Sequence, residues 1–325
     1  LKYYRYKQMK GNRILVTGGA GFIGSQLIAR LNDRGYEAMG IDNFNSHLYD
    51  ASFKHDRVKA LKIPVTHCDF ASGDIRYLRK TVTDFAPDQI IHLGAMAGVR
   101  DSFGKESEYH KNNIDGTQRI IELLQEYLPE CRVIYASTSS VYSSTKELPW
   151  KEDNVQAHQL NAYSYSKYAN ECMFKISGLN NVGLRFFTVY GPWGRPDMAL
   201  FDFTKKILAG ERITVYNYGN MKRDFTYVDD ILDGIEIVIE NAKIESGEIF
   251  NIGNGKQVGL IDFINEIVKC TGKKSLQDLR APHPADALET WSDTTKLAKL
   301  GYAPKVDVEE GVAKFYDWYM EYYGD

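Results

Sequence analysis

The sequence predicts an α/β fold, a doubly wound parallel sheet followed by a smaller, mostly helical C-terminal lobe. Two observations predict it. From Arg13 to about Phe187, apolar runs of strand length alternate with stretches of helical periodicity, the pattern of a parallel sheet covered on both faces. The polar motifs fall at the carboxyl ends of those runs or in the loops after them, where such sheets bind their ligands.

In chain order, Ile14, Leu15 and Val16 read as a short buried strand, and Ile23, Leu27 and Leu31 recur at four-residue spacing on one helix face. Strands follow at 38–41 and 63–67, then a helix over 75–85 and a strand over 89–93. A long helix over about 106–127 precedes a strand at 132–136, and a helix over about 163–177 precedes a strand at 182–186. After about Gly191 the rhythm loosens. Short strands near 213–215 and 249–252 alternate with helices near 229–241, 260–270 and 308–323. The expected division is a sheet domain over 11–190 and a substrate lobe over 191–325, with some chain crossing between them. No linker rich in Gly, Ser or Pro separates the two, so they are expected to share a cleft.

The turn between the first strand and the first helix is glycine-rich. It carries Gly18, Gly19, Gly21 and Gly24 in two overlapping patterns, Gly19-x-Gly21-x-x-Gly24 and Gly18-x-x-Gly21-x-x-Gly24. A strand that turns through such residues into a helix lets backbone approach a pyrophosphate and aims free N–H groups at it. The next strand ends in Asp42, 18 residues beyond Gly24. A carboxylate there accepts from ribose hydroxyls and repels a 2′-phosphate, so the expected cofactor is NAD rather than NADP. No Arg follows closely; the chain runs Asn43-Phe44-Asn45. The alternative is a nucleotide-free domain with a glycine turn.

Composition bounds the partners. The 325 residues suffice for one large domain or two coupled ones, and 43% hydrophobic with 26% charged residues is ordinary globular usage. A net charge of −3 gives no reason to expect nucleic acid or an anionic membrane. Cys68, Cys131, Cys172 and Cys270 are scattered, which argues against zinc or a disulfide framework, suits a reducing cytoplasm and leaves no metal expected. No apolar run nears the roughly 18 residues of a membrane span, and no signal peptide is visible. The first ten residues read as a short arm or a tag remnant, with Met9 a natural start.

Tyr163 and Lys167 stand four apart at the start of a helix, so both side chains share a face. The hydroxyl cluster Ser137-Thr138-Ser139-Ser140 lies at the end of the preceding strand and is expected to meet them at one cleft. A free Tyr titrates near 10, too high for a base at neutral pH, but a nearby ammonium and a cationic nicotinamide are expected to lower it. Such a Tyr can take a proton from a sugar hydroxyl while hydride leaves the same carbon. The bland alternative for the pair alone is a surface contact.

The glycine loop, Asp42, Asp69-Phe70, His92-Leu-Gly-Ala95, Asn113, the hydroxyl cluster and Tyr163-x-x-x-Lys167 together resemble the extended short-chain dehydrogenase/reductase superfamily, with its Rossmann domain. More narrowly they resemble its NAD-dependent nucleotide-sugar epimerases and dehydratases, from about Arg13 to Tyr323. By that resemblance Gly18, Gly21, Phe22, Ile23, Gly24, Asp42, Asn43, Leu93, Ala95, Ala97 and Asn113 hold the cofactor. Asp69 and Phe70 would contact adenine, Lys167 the nicotinamide ribose, and Thr138 would take the catalytic Ser/Thr position beside Tyr163. The superfamily also implies a homodimer.

Dehydratases and decarboxylases of the family carry a carboxylate directly after the catalytic Ser/Thr, where this chain has Ser139 and Ser140, so epimerisation is favoured. The segments 191–199 and 216–230, with Ala97-Gly-Val-Arg100 and Leu288-Glu-Thr290, look like UDP-glucuronate 4-epimerases. The resemblance then implies substrate contacts from Arg100, Ser139, Ser140, Thr188, Arg195, Tyr216, Arg223 and Asp286, with Thr188 restraining the sugar carboxylate. This chain departs from that pattern at Met96, Asp101, Ser143 and Ala285. Asp101 would repel a uronate if it faced the site. The alternatives are an epimerase of another UDP-sugar, a UDP-glucuronate decarboxylase, and a non-catalytic NAD-binding regulator.

Overall fold

The computed structural model describes residues 12–282 and 287–324. Asp286 and the first ten residues lie outside them. The chain opens with β1 (Arg13–Thr17), α1 (Phe22–Asp33), β2 (Glu37–Asp42), α2 (Ser52–Ala60), β3 (Val65–His67), α3 (Ile75–Phe85) and β4 (Gln89–His92). A composite helix follows: α4 (Glu106–Tyr109), a widened π segment (His110–Asp115) and α5 (Gly116–Tyr127). Then come β5 (Arg132–Thr138), α6 (Ala162–Ile176), β6 (Asn181–Phe186), β7 (Thr188–Tyr190), α7 (Ala199–Ala209) and β8 (Arg212–Val215). The last third holds β9 (Lys222–Arg223), β10 (Phe225–Tyr227), α8 (Val228–Glu240), β11 (Glu248–Ile252), β12 (Val258–Gly259), α9 (Leu260–Thr271) and β13 (Leu276–Leu279). It ends with α10 (Thr295–Ala298) and α11 (Val308–Tyr323).

Seven parallel strands form the sheet in the order β11-β6-β5-β4-β1-β2-β3. Both faces are buried, and alternate residues feed two cores: Ile14 and Val16 join one, Leu15 the other. The order reverses between β1 and β4, which opens a crevice beyond the carboxyl ends of those strands. The chain crosses back to the main sheet at β11. The run at 249–252, expected in the smaller lobe, pairs with β6 from Glu248–Val182 to Ile252–Phe186 as an edge strand of the main sheet. Its preceding helix, α8, lies against α1 through ion pairs of Arg30 and Arg34 with Glu236.

Three small pairs build the rest: β10 with β7, β12 with β9, and β13 with β8. The first matters most for the site. It sets Thr188 beside Phe225, while the buried Asp224 carboxylate accepts from the backbone of Asn254, Gly255 and Ser292 and ties three loops together. An aromatic cluster forms around Phe53, where Trp193, Trp318 and Tyr322 meet.

Candidate active site

One cleft of about 810 Å³ opens over the carboxyl ends of β1, β2, β4, β5 and β6. Its near end is made by the glycine turn. Gly18 has φ +70°, and a Cβ there would lie 2.9 Å from the Gly94 backbone, while one on Gly24 would lie 2.4 Å from the Gly18 carbonyl oxygen. No side chain fits at either position. The α1 N-terminus begins at Gly21 with no side-chain cap and no acidic residue in its first turn, so Phe22 and Ile23 present uncapped backbone to the cleft. That is what an anion needs from a helix end.

Beyond the turn, Asp42 accepts from the backbone N–H of Ala20 at 3.2 Å and of Phe44 at 2.8 Å. Burial would push the Asp69 carboxyl up, but hydrogen bonds from Ser72, Ala71 and Asn43 outweigh it and hold the group below its usual range. Phe70 sits where a Cβ on Gly94 or Gly116 would strike it, at 2.6 and 2.8 Å, so those two glycines make room for its ring. Leu93, Ala95 and Ala97 line the same wall.

Asn113 lies in the π segment and is 1% exposed. Its amide bonds the Met96 backbone twice, at 2.7 and 2.9 Å, and the Ser166 hydroxyl at 2.9 Å. The widened turn also frees the Asn113 carbonyl to accept from Thr117 and Asn170, at 2.6 and 2.7 Å. Asn113 therefore clamps the loop that lines the cleft, one layer behind it. His92 is a satisfied core histidine, as its apolar strand suggests. Thr17 and Thr117 take its two nitrogens at 2.8 and 3.1 Å, and burial, helped by the Lys167 charge, drops it to about 3.

At the centre stand Thr138, Tyr163 and Lys167, all lining the cleft. Asn161 caps α6 by accepting from the Ser164 N–H at 2.8 Å, which fixes the first turn that carries Tyr163. Thr138 stands beside the Tyr163 hydroxyl, and its Oγ1 meets Ser140 Oγ at 3.2 Å. In the protein alone the phenol is raised, not lowered. Burial is the largest cause, against opposing pulls from the Thr138 hydrogen bond and the Arg195 charge. Lys167 is 2% exposed, makes no hydrogen bond with the described residues, and is pushed down by burial to about 8 against the upward pull of Glu171.

The far end gathers Ser139, Ser140, Thr188, Arg195, Tyr216, Arg223 and Arg100 around one space. The Arg195 guanidinium forks onto Asp197, Nε to Oδ1 at 3.1 Å. Arg100 lies over the Tyr216 ring, 4.0 Å from its centre, and Arg223 reaches the Leu288 carbonyl at 3.1 Å. Asp101 does border the cleft, but its carboxylate folds back onto Gly98, 2.8 Å from where a Cβ there would be.

The chain matches the NAD dependent epimerase/dehydratase family over residues 14–253. It belongs to that family. Uncharacterized protein MJ1055 of Methanocaldococcus jannaschii is 43% identical, covering 96% of this chain and 98% of its own. UDP-glucuronate 4-epimerase 4 of Arabidopsis thaliana is 36% identical over 96% of this chain and 76% of its own. The crystal structure of a Bacillus cereus UDP-glucuronic acid 4-epimerase with UDP-glucuronic acid and NAD superposes with a TM-score of 0.87 at 32% identity. It covers 96% of this chain and 100% of that one.

NAD is the cofactor of this epimerase/dehydratase, and the residues present fit it. The glycine cradle, the uncapped helix end and the unpartnered, buried Lys167 ammonium all face one cleft. Two residues at the cofactor end escape sequence reasoning. The stretch 52–60 is charged and lacks an apolar stripe, yet it forms α2 and buries Phe53, Lys54 and Arg57. Lys54 Nζ comes 3.4 Å from Asp42 Oδ1, a cation that inspection of the residues just after Asp42 could not reveal. At the substrate end Met198, just before α7, and Asp202 and Lys206 on α7 join the lining.

Proposed function

We propose that the chain is an NAD-dependent UDP-sugar 4-epimerase that interconverts UDP-glucuronate and UDP-galacturonate through a transient 4-keto sugar. The observation that carries this reading is the convergence of the Thr138 and Tyr163 hydroxyls and the buried Lys167 ammonium on one cleft, with hydroxyls and not carboxylates next in the chain. Likeness to the Arabidopsis and Bacillus UDP-glucuronate epimerases supports the sugar.

In this reading Tyr163 takes the proton of the sugar C4 hydroxyl, and Thr138 shares a hydrogen bond with that oxygen. NAD, when bound, accepts the hydride from C4 and returns it. Lys167 steadies the cofactor ribose and lends its charge to the phenolate. The uridine diphosphate is gripped by Arg223 and Tyr216, with Asp286 assigned to the uridine ribose by sequence alone. The keto-sugar must turn over between the two hydride transfers, so its own contacts have to be few and neutral. Ser139, Ser140 and Thr188 suit that role, and Arg195, already forked onto Asp197, brings little net charge. A 4-keto-uronate is a β-keto acid, and Thr188 holding its carboxylate in the ring plane would keep CO₂ from leaving. The other residues predicted to hold the cofactor, Gly18 through Ala97, keep those roles here, with Asn113 supporting the cleft wall from behind.

The test is proton NMR of purified protein with UDP-glucuronate and no added cofactor. UDP-galacturonate is expected, with no CO₂. A UDP-pentose with CO₂ would make the protein a decarboxylase. Turnover of only UDP-glucose or an N-acetylated sugar would remove the uronate, and no turnover of any nucleotide sugar would favour the non-catalytic regulator.

A pH dependence follows from Lys167. Its ammonium, pushed to about 8, is lost as pH rises through that value, so kcat/KM is expected to fall on an alkaline limb near 8. Stability should move the other way. The unfolded chain keeps this proton up to the ordinary value of 10.5, so between about 8 and 10.5 it binds more protons than the native state, and stability rises with pH. A limb that appears only above pH 10 would show that burial does not depress this ammonium to about 8.

No helix among the described residues is long and apolar enough to cross a membrane. Four free cysteines support a reducing, cytoplasmic setting. A homodimer is supported by the outer face of α6, where Tyr165 is 52% and Ile176 85% exposed, an apolar stripe that costs less when covered.

A further inference from the structure

Helix α2 turns a cationic face inward, toward the glycine turn. Lys54 on that face has Asp42 as its partner. Arg57, three residues on, has no carboxylate within ion-pair distance among the described residues, although it is fully buried. One of its terminal nitrogens donates to the Ala20 carbonyl at 2.7 Å and to the Tyr49 hydroxyl at 3.3 Å. The other donates to the Trp193 carbonyl at 2.7 Å. Phe53 lies 4.8 Å from the guanidinium carbon, and Nε is buried without a partner.

A buried cation held only by carbonyls, a hydroxyl and ring faces is costly in the protein alone. A fold keeps such a charge where an anion will meet it. Ala20 stands inside the glycine turn, next to Gly21 at the head of α1, so the guanidinium lies directly behind the backbone that faces the cleft. Trp193 stands in the loop that leads to Arg195, and it holds φ +59°, a left-handed conformation that a bulky side chain rarely takes. One planar fork therefore bridges the loop at the cofactor end and the loop that carries Arg195 at the sugar end.

We propose that Arg57 is a positioning residue whose charge is balanced by the cofactor diphosphate, and which ties the glycine turn to the Arg195 loop. This rests on the NAD reading of the cleft. The charge acts through the turn and touches no reacting atom, so its effect must follow the diphosphate and not the adenosine.

The experiment uses the full chain freed of nucleotide, as wild type, Arg57→Met and Arg57→Lys, titrated calorimetrically with ADP-ribose and with adenosine. In Arg57→Met, ADP-ribose is expected to weaken by about tenfold or more, as for loss of a charge-assisted contact. Adenosine should bind within about twofold of wild type, because the charge acts on the diphosphate alone. Arg57→Lys keeps the charge and gives up the fork. It should hold ADP-ribose within about threefold while raising KM for the nucleotide sugar, because the Arg195 loop loses its tie. The proposal is overturned if the Met variant keeps ADP-ribose within about threefold of wild type, or weakens both ligands equally. The Lys variant overturns it independently if its ADP-ribose affinity falls as far as that of the Met variant. Wild-type protein that binds neither ligand would remove the NAD reading itself, and this proposal with it.

Discussion

Tyr163→Phe is expected to lower turnover about a thousandfold, within the range for loss of a general acid–base group, while leaving bound nucleotide in place. The substitution removes one atom, the phenol oxygen beside Thr138. In the protein alone that phenol is raised by burial, so the enzyme depends on the bound cofactor's charge, with Arg195 and Thr138, to bring it into a useful range. A thousandfold is about 4 kcal/mol in the barrier. Thr138→Val should cost less, about ten- to a hundredfold, because it supports the proton transfer without accepting the proton. The measurement is the NMR time course with UDP-glucuronate, with released nucleotide quantified by absorbance to confirm full occupancy. Turnover within tenfold of wild type would mean that another group takes the proton.

The parts of this molecule legible in the sequence are those written locally. The glycine turn, Asp42 at the end of β2 and the Tyr163/Lys167 pair each declare themselves within a few residues, because turn geometry, strand ends and helix faces are short-range properties. Their convergence on one cleft follows from the parallel topology, which puts every strand's carboxyl end on the same side. What was illegible depends on distant partners. Glu248 to Ile252 look like any short strand, and only pairing with β6 makes them part of the main sheet. Helix α2 hides because its inward residues are charged, so the apolar stripe that normally marks a helix is missing. The register of the composite helix was hidden too: a widened turn at 110–115 leaves the apolar pattern continuous while rotating Asn113 onto the Met96 loop. In the protein alone the Tyr163 phenol is raised; spacing shows a neighbouring ammonium but does not show burial.

The second large effect is on stability, at a pair next to the reaction centre that no motif announces. Arg185 on β6 and Glu171 on α6 are 3% and 5% exposed and meet through two bonds of 2.8 Å. Ser137 also donates to Glu171, and Arg185 reaches the Tyr142 hydroxyl at 2.6 Å and the Glu152 carbonyl at 2.7 Å. Arg185→Met strands the Glu171 charge in a low-dielectric interior, and should cost about 3–5 kcal/mol in denaturant unfolding. Arg185→Met with Glu171→Leu removes both charges and should recover most of that loss, since a buried pair is worth little against apolar groups of similar size. Function should not recover with it. Glu171 stands one helical turn from Lys167 and is what pulls its ammonium upward against burial. The double variant should therefore fold well, yet carry its alkaline limb at a pH below 8, because Lys167 would give up its proton more readily. If Arg185→Met unfolds within about 1 kcal/mol of wild type, the pair is not the anchor described. If the double variant keeps its limb near 8, the Glu171 charge is not what sustains Lys167, and the pair serves the fold alone.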